Sequence, residues 1–300
     1  MKHAFLIMAH NNFPQLKRLL KKLDHVNNKI FIHIDAKADF SDFDREMLVG
    51  ACNESEIFFI QRYSLSWGGY SQVFIPLKLL EEAVKHSCDY YHLLSNADFP
   101  IKSMEYIHSF LEEHKGTEFI HFCSDEFVKQ NISRVSLYSF FRDRFGRNTK
   151  SIYYLLERIS VTLQRVLRVD RTKKYPDLEI KMGSNWFSIT DAFAKYLLKT
   201  FPSIQNIFKY TTCADEIYIQ TIAFHSPFKD NIYYFKNNIP ANESYLRSVD
   251  WSRKGSAVGA PCDYTVDDYD TLINSKNLFA RKISALTEKG NSLIEKLELL

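Results

Sequence analysis

The chain has 300 residues, 45% hydrophobic and 25% charged, the composition of a folded globular protein, which excludes a largely disordered one. A net charge of +3 is too small to argue for a nucleic-acid partner. No stretch approaches the ~20 apolar residues of a membrane span, and the five scattered cysteines contain no CxxC pair, against a zinc site or a disulfide framework.

The first ~125 residues alternate short apolar runs with amphipathic stretches. Ala4 to His10 reads as a buried strand, and Pro14 suits the first turn of a helix whose apolar face is Leu16, Leu19, Leu20 and Leu23. Strands follow at Lys29 to Asp35, Glu56 to Gln61, Tyr90 to Ser95 and Glu118 to Cys123, with helices at about Ser71 to His86 and from Ser103 to near His114. Arg142 to Lys174 reads as a loop, a basic helix from about Ser151 to Val169, and another loop. The α/β pattern resumes at Lys181 with a strand at Asn185 to Thr190 and helices at Asp191 to Phe201 and Ala214 to Ser226. An irregular stretch after Trp251 contains Gly255, Gly259 and Pro261, and a last helix runs from about Ser284. This is an α/β chain with a mostly parallel sheet covered by helices on both faces. Ligands of such sheets bind beyond the carboxyl ends of the strands, where His10, Asp35 and Ser95 to Asp98 stand.

The usual nucleotide motifs are missing: neither GxGxxG nor GxxxxGK[ST] occurs. Two Asp-x-Asp matches, Asp42–Asp44 and Asp268–Asp270, fall where helices begin and read as helix-terminus acids rather than metal ligands. Arg281 and Lys282, after an apolar run, could grip two phosphates, or be a solvated pair. Asp215 and Glu216 open a helical stretch, and one could serve as a general base, or both be helix N-terminal acids. Trp67 and Trp186 stand beside small residues, as sugar-stacking rings or as core tryptophans near turns.

Taken together and in order, LIMAHNN, HIDAK, SWGGYS, HLLSNADFPIKS, GSNWFSIT, ADE and NLFARK resemble the branching β-1,6-N-acetylglucosaminyltransferases and peptide O-xylosyltransferases of glycosyltransferase family 14, from about residue 4 to residue 283. The resemblance implies a variant nucleotide-diphospho-sugar transferase (GT-A-like) fold, a UDP-sugar donor, inversion at the anomeric carbon and no metal or other cofactor. It implies Glu216 as general base and Arg281 with Lys282 at the diphosphate. It places Asp35 and Lys37 near uridine and Asp98 near the donor sugar. His10 and Trp67 complete the expected donor-binding set, and Asn185, Trp186 and Asp215 form the acceptor-binding set. Where the xylosyltransferases carry GS-Asp-WF this chain has Asn185, which cannot act as a base, so N-acetylglucosamine is the first donor expected, with xylose, glucose or galactose behind it.

The expected organisation is a single domain over 1–300, with a nucleotide-sugar-binding half (1–125), a basic helical insertion (142–174) and an acceptor/catalytic half (178–300). The expected acceptor is a glycan or a lipid-linked oligosaccharide. Without a signal-peptide pattern at the N-terminus, a cytoplasmic location is expected. Arg142 to Lys174 holds ten basic and three acidic residues, and Ile152, Leu155, Leu156, Ile159, Leu163, Val166 and Leu167 share one helical face. That face could rest on the inner surface of an anionic membrane, or pack on the domain with the charges solvated. The rivals are a non-catalytic sugar- or nucleotide-binding module, and a metal-dependent phosphate enzyme using the Asp-x-Asp pairs.

Overall fold

The computed structural model describes residues 1–236, 239–253, 255 and 260–300; Gly259 lies outside them. In chain order the elements are β1 (His3–Ala9), α1 (Phe13–Leu23), β2 (Asn28–Ile34), α2 (Asp42–Val49), β3 (Glu56–Phe59), α3 (Ser71–Ala83), β4 (Tyr90–Ser95), β5 (Asp98–Pro100), α4 (Met104–Glu113) and β6 (Phe119–Ile120). There follow α5 (Asp125–Asn131), α6 (Ser133–Ser136), α7 (Arg142–Phe145), α8 (Ile152–Val166), β7 (Phe187–Thr190), α9 (Asp191–Lys209) and α10 (Tyr218–Phe224). The chain ends with α11 (Tyr233–Lys236), β8 (Arg247–Val249), α12 (Tyr269–Ile273), β9 (Phe279–Arg281) and α13 (Glu288–Glu298).

The main sheet has the order β3-β2-β1-β4-β7-β6. Its first four strands are parallel and β7 runs antiparallel between β4 and β6. Every residue of β1 is buried, as a central parallel strand covered on both faces requires. Its side chains alternate between two cores. Ala4, Leu6 and Met8 join the core that holds α3 and α9, whereas Phe5, Ile7 and Ala9 join the core that holds α1, α4 and α13. The expected α/β class, mostly parallel sheet and two covered faces are all present.

Three local expectations need correction. Pro202 does not end α9, which continues to Lys209 because Ile207 and Phe208 are fully buried beyond it. The stretch from Ala214 is a 3-10 turn at Ala214–Glu216 followed by a separate α10. A second sheet, β5-β9-β8, was not foreseen. It joins residues from both halves of the chain, as does the β6–β7 pair, so the halves share both sheets.

Both Asp-x-Asp sequences are helix caps. Asp44 closes a capping box with Ser41, and Asp268 closes one with Thr265. Asp268 also pairs with Arg253 at 3.0 Å.

The interior carries several neutral imidazoles. His3 Nδ1 and His92 Nε2 lie 3.0 Å apart, and His92 Nδ1 lies 2.7 Å from Ser188 Oγ. Burial holds His92 far below its usual range and His33 down to about 4. The folded-state values lie below the unfolded ones, so the unfolded chain takes up protons first as pH falls. Stability is therefore lost from about pH 6.5 downward, by about 3 kcal/mol for His33 alone by pH 4. Buried Glu118, pushed up to about 7, acts in the opposite direction, because its folded form holds a proton that the unfolded form has released. Urea titrations from pH 7 to 4 should show falling stability, and Glu118→Gln should steepen the fall. A flat profile contradicts this.

Candidate active site

At the carboxyl end of β1, Asn12 adopts a left-handed conformation (φ 49°) and caps α1. This turns the chain sharply and leaves His10 exposed at the strand end. Asp35 follows β2, where its Oδ1 accepts the Lys37 N–H at 2.9 Å and its Oδ2 lies 3.8 Å from the Lys37 ammonium. The Lys37 ammonium also donates to the Leu65 carbonyl, which ties this turn to the loop before Trp67. Partial desolvation lowers the His10 pKa; Asp35 opposes the shift, while the Lys282 and Lys37 charges reinforce it. His10, Asp35, Lys37 and Lys282 thus share one electrostatic neighbourhood.

The small sheet brings the basic pair to this place. In the β5–β9 register Asp98 lies opposite Arg281. Arg281 Nη1 donates to Asp98 Oδ2 and to Ser95 Oγ, each at 2.7 Å. The Arg281 guanidinium also lies 4.0 Å from the centre of the Trp186 ring. Lys282 is half-buried and makes no ion pair among the described residues. Burial, then the Arg281 charge, lower its pKa, with Arg147 adding to the effect. Gln15 fixes the approach of β9 to the β1 loop: its side chain donates to the Asn96 and Ile283 carbonyls and accepts the Ala285 N–H.

Behind the pair stands Arg247, fully buried and with no carboxylate partner among the described residues. It donates to Ser188 Oγ and to the Tyr245, Leu93 and Phe187 carbonyls. Arg247, Arg281 and Lys282 against Asp98 leave this end of the site positive, which suits an anion.

The acidic pair lies in the 3-10 turn Ala214–Glu216. Cys213 N–H donates to the Gly68 carbonyl at 2.9 Å, joining the Cys213–Glu216 turn to the Trp67 loop. The Glu216 side chain is 43% exposed, and its Oε2 is held by Arg134 Nη1 at 2.6 Å. Its carbonyl accepts the Gly183 N–H at 2.8 Å. A Cβ on Gly183 would stand 1.9 Å from the His121 carbonyl oxygen, so this close approach requires glycine. Asn185, part-exposed, lies two residues further on. Asp215, by contrast, is buried with Oδ1 unpartnered, and burial and then the neighbouring Glu216 push its pKa up. The structure thus places Asp215 beneath the surface rather than at an acceptor-facing position, because the 3-10 turn directs the two adjacent acids differently.

The Trp rings are engaged differently from the expectation. Trp186 is buried and lies against Arg281. Trp67 is 39% exposed, but Arg142 and Arg147 lie 4.7 and 4.6 Å from its ring centre. The first turn of the basic segment is therefore part of the site's wall. Asp143 accepts from Tyr70 N–H, Ser71 N–H and Ser71 Oγ, capping α3. Gly68 (φ +72°) makes room for Arg142, whose Nε would lie 2.6 Å from a Cβ there. Gln15, Arg134, Asp143, Arg147 and Arg247 were not singled out as site residues from the sequence. The site partners described for them lie far away along the chain, and no local motif marks them.

A family model described as Core-2/I-Branching enzyme matches residues 3–273. Xylosyltransferase oxt of Drosophila pseudoobscura pseudoobscura is 23% identical over 310 residues, covering 96% of this chain and 32% of that protein. Xylosyltransferase 1 of Homo sapiens is 24% identical over 275 residues, covering 87% of this chain and 25% of that protein. The chain thus spans about a quarter to a third of the length of the curated relatives it matches. Among solved structures, core-mannan synthase A of Aspergillus fumigatus in its Mn/GDP form matches with a TM-score of 0.36 and 12% identity, covering 75% of this chain and 70% of that one. Mouse xyloside xylosyltransferase 1, apo form, also gives 0.36, at 8% identity, covering 93% and 96%. Those scores are too low to superpose one site on another.

Proposed function

From the premise that the chain belongs to the Core-2/I-branching enzyme family, we propose that it is an inverting glycosyltransferase using a UDP-sugar without a metal ion. The observation that carries the reading is that Lys282 stands in the electrostatic neighbourhood of His10 with Asp35 and Lys37, next to Arg281 held by Asp98, while Glu216 is part-exposed on Arg134. An acceptor hydroxyl attacks the anomeric carbon as Glu216 takes its proton. A carbon–oxygen bond forms, the bond from that carbon to the phosphate oxygen breaks, and UDP departs. Arg281 and Lys282 face the charge that develops on the departing diphosphate. Metal independence is supported by this cationic pair and by the use of both Asp-x-Asp sequences as caps.

Asp35 and Lys37 are assigned to the uridine end and Asp98 to the donor sugar, with Asp98 also positioning Arg281. Asn185 is assigned to the acceptor. Trp186 is assigned a place between donor and acceptor, and Asp215 a supporting one beneath Glu216. N-acetylglucosamine is the first donor proposed, because Asn185 removes a carboxylate. UDP-xylose is the second, because the similar curated proteins are xylosyltransferases. The acceptor proposed is a surface glycan or a lipid-linked oligosaccharide at the cytoplasmic face of a membrane.

The test is UDP release from a panel of UDP-sugars in excess EDTA. One sugar, N-acetylglucosamine first, should support slow release without metal. Release from none with the chain folded, or release only after manganese is added, overturns the proposal.

A further inference from the structure

Helix α8 turns most of its apolar side chains outward. Its two buried residues are polar, Glu157 and Gln164, with Tyr154, Ser160 and Val161 part-buried. Glu157 Oε2 accepts the Phe140 and Phe141 N–H groups at 3.1 and 3.0 Å. Gln164 accepts the Tyr138 N–H at 2.6 Å and donates to the Tyr138 carbonyl at 2.9 Å. These bonds fix the rotation of the helix and turn its apolar stripe to solvent. Leu155 is 53% exposed, Ile159 49%, Leu163 56%, and Val166 and Leu167 74% each, and Phe140 beside the helix is 50% exposed. A contiguous apolar patch of this kind marks an interaction surface.

Its charge selects the partner. Arg158 and Arg165 lie along one flank of the stripe and Arg168, Lys173 and Lys174 beyond its end, all exposed. The acid of the helix, Glu157, is committed inward. Arg171 does not add to the surface charge: it is buried and donates to the Leu137, Tyr210, Asn206 and Ile207 carbonyls, anchoring the segment that follows α8. Two copies meeting through this face would bring like charges together, whereas an anionic lipid surface complements them. Among the described residues no helix is long and apolar enough to cross a membrane.

We propose that α8 lies flat in the interface of an anionic lipid membrane, its apolar stripe inserted and its flanking arginines among the headgroups. α7 connects this surface to the site, since Arg142 and Asp143 hold the Trp67–Ser71 loop. Docking would therefore set the distance between the membrane and the cleft. The surface rests on its own geometry, and lipid binding and UDP release are measured separately, so either can fail without the other.

The experiment is sedimentation of the full chain with phosphatidylcholine vesicles containing or lacking 30% phosphatidylglycerol, at low and high salt. Binding is expected to the anionic vesicles and to weaken with salt. Arg165→Glu with Arg168→Glu should lower partitioning at least ~25-fold, about fivefold for each basic residue lost. Ile159→Ser with Leu163→Ser should lower it more than about tenfold. Both double variants should keep wild-type circular dichroism and UDP release. Binding to neutral vesicles as good as to anionic ones, or no binding at low salt, overturns the proposal. So does a solution dimer that Leu163→Ser dissociates.

Discussion

Glu216→Gln should lower sugar transfer by about 10²–10⁴ while leaving donor affinity nearly unchanged. The amide keeps an oxygen for Arg134, which holds Oε2 at 2.6 Å, so the shape of the turn survives while proton acceptance does not. The measurement is kcat and KM for transfer, alongside calorimetric affinity for UDP. The loss should fall on kcat. Asp215→Asn distinguishes the two acids: Asp215 is buried, so its amide should have a far smaller effect on kcat. Near-normal transfer by Glu216→Gln would remove the base assignment.

Arg281→Ala should damage both stability and donor binding. Asp98 is fully buried and Arg281 is its ion-pair partner at 2.7 Å. Removing the guanidinium strands a buried carboxylate, which costs about 3–5 kcal/mol of folding stability. The lost charge-assisted contact to the diphosphate should add about 1.5–3 kcal/mol to the binding free energy, roughly 10- to 150-fold in Kd. Lys282→Ala separates the effects, because among the described residues Lys282 has no ion-pair partner to strand. It should lose UDP affinity to a similar degree while its urea midpoint stays near wild type. UDP binding by Lys282→Ala as tight as by the unmodified chain contradicts the assignment.

The main sheet was legible because its signals are local. Parallel strands buried on both faces read as apolar runs, and helix faces recur at their own spacing. The small sheet was not, because strands of three residues leave no period to detect and their pairing joins Asp98 to Arg281 across most of the chain. Periodicity also revealed the apolar stripe of α8 but not its direction. That direction is set by Glu157 and Gln164 bonding to the backbone of 138–141, which no sequence pattern in the helix announces. In the site, strand-end topology pointed to His10 and Asp35, and the resemblance pointed to Glu216, Arg281 and Lys282. The opposite fates of Asp215 and Glu216 follow from a 3-10 turn that a continuous-helix reading concealed. Arg142 and Arg147 read as part of a run of solvated charge, and only the fold puts them against Trp67.

The central claim is that cationic side chains, rather than a metal, receive the diphosphate. Calorimetric titration of UDP into the chain in excess EDTA, repeated with manganese in place of EDTA, tests it most directly. Binding of similar affinity in both, weakened at least about tenfold by Lys282→Ala, is the predicted result. No binding in EDTA, restored by manganese and indifferent to Lys282→Ala, would contradict it.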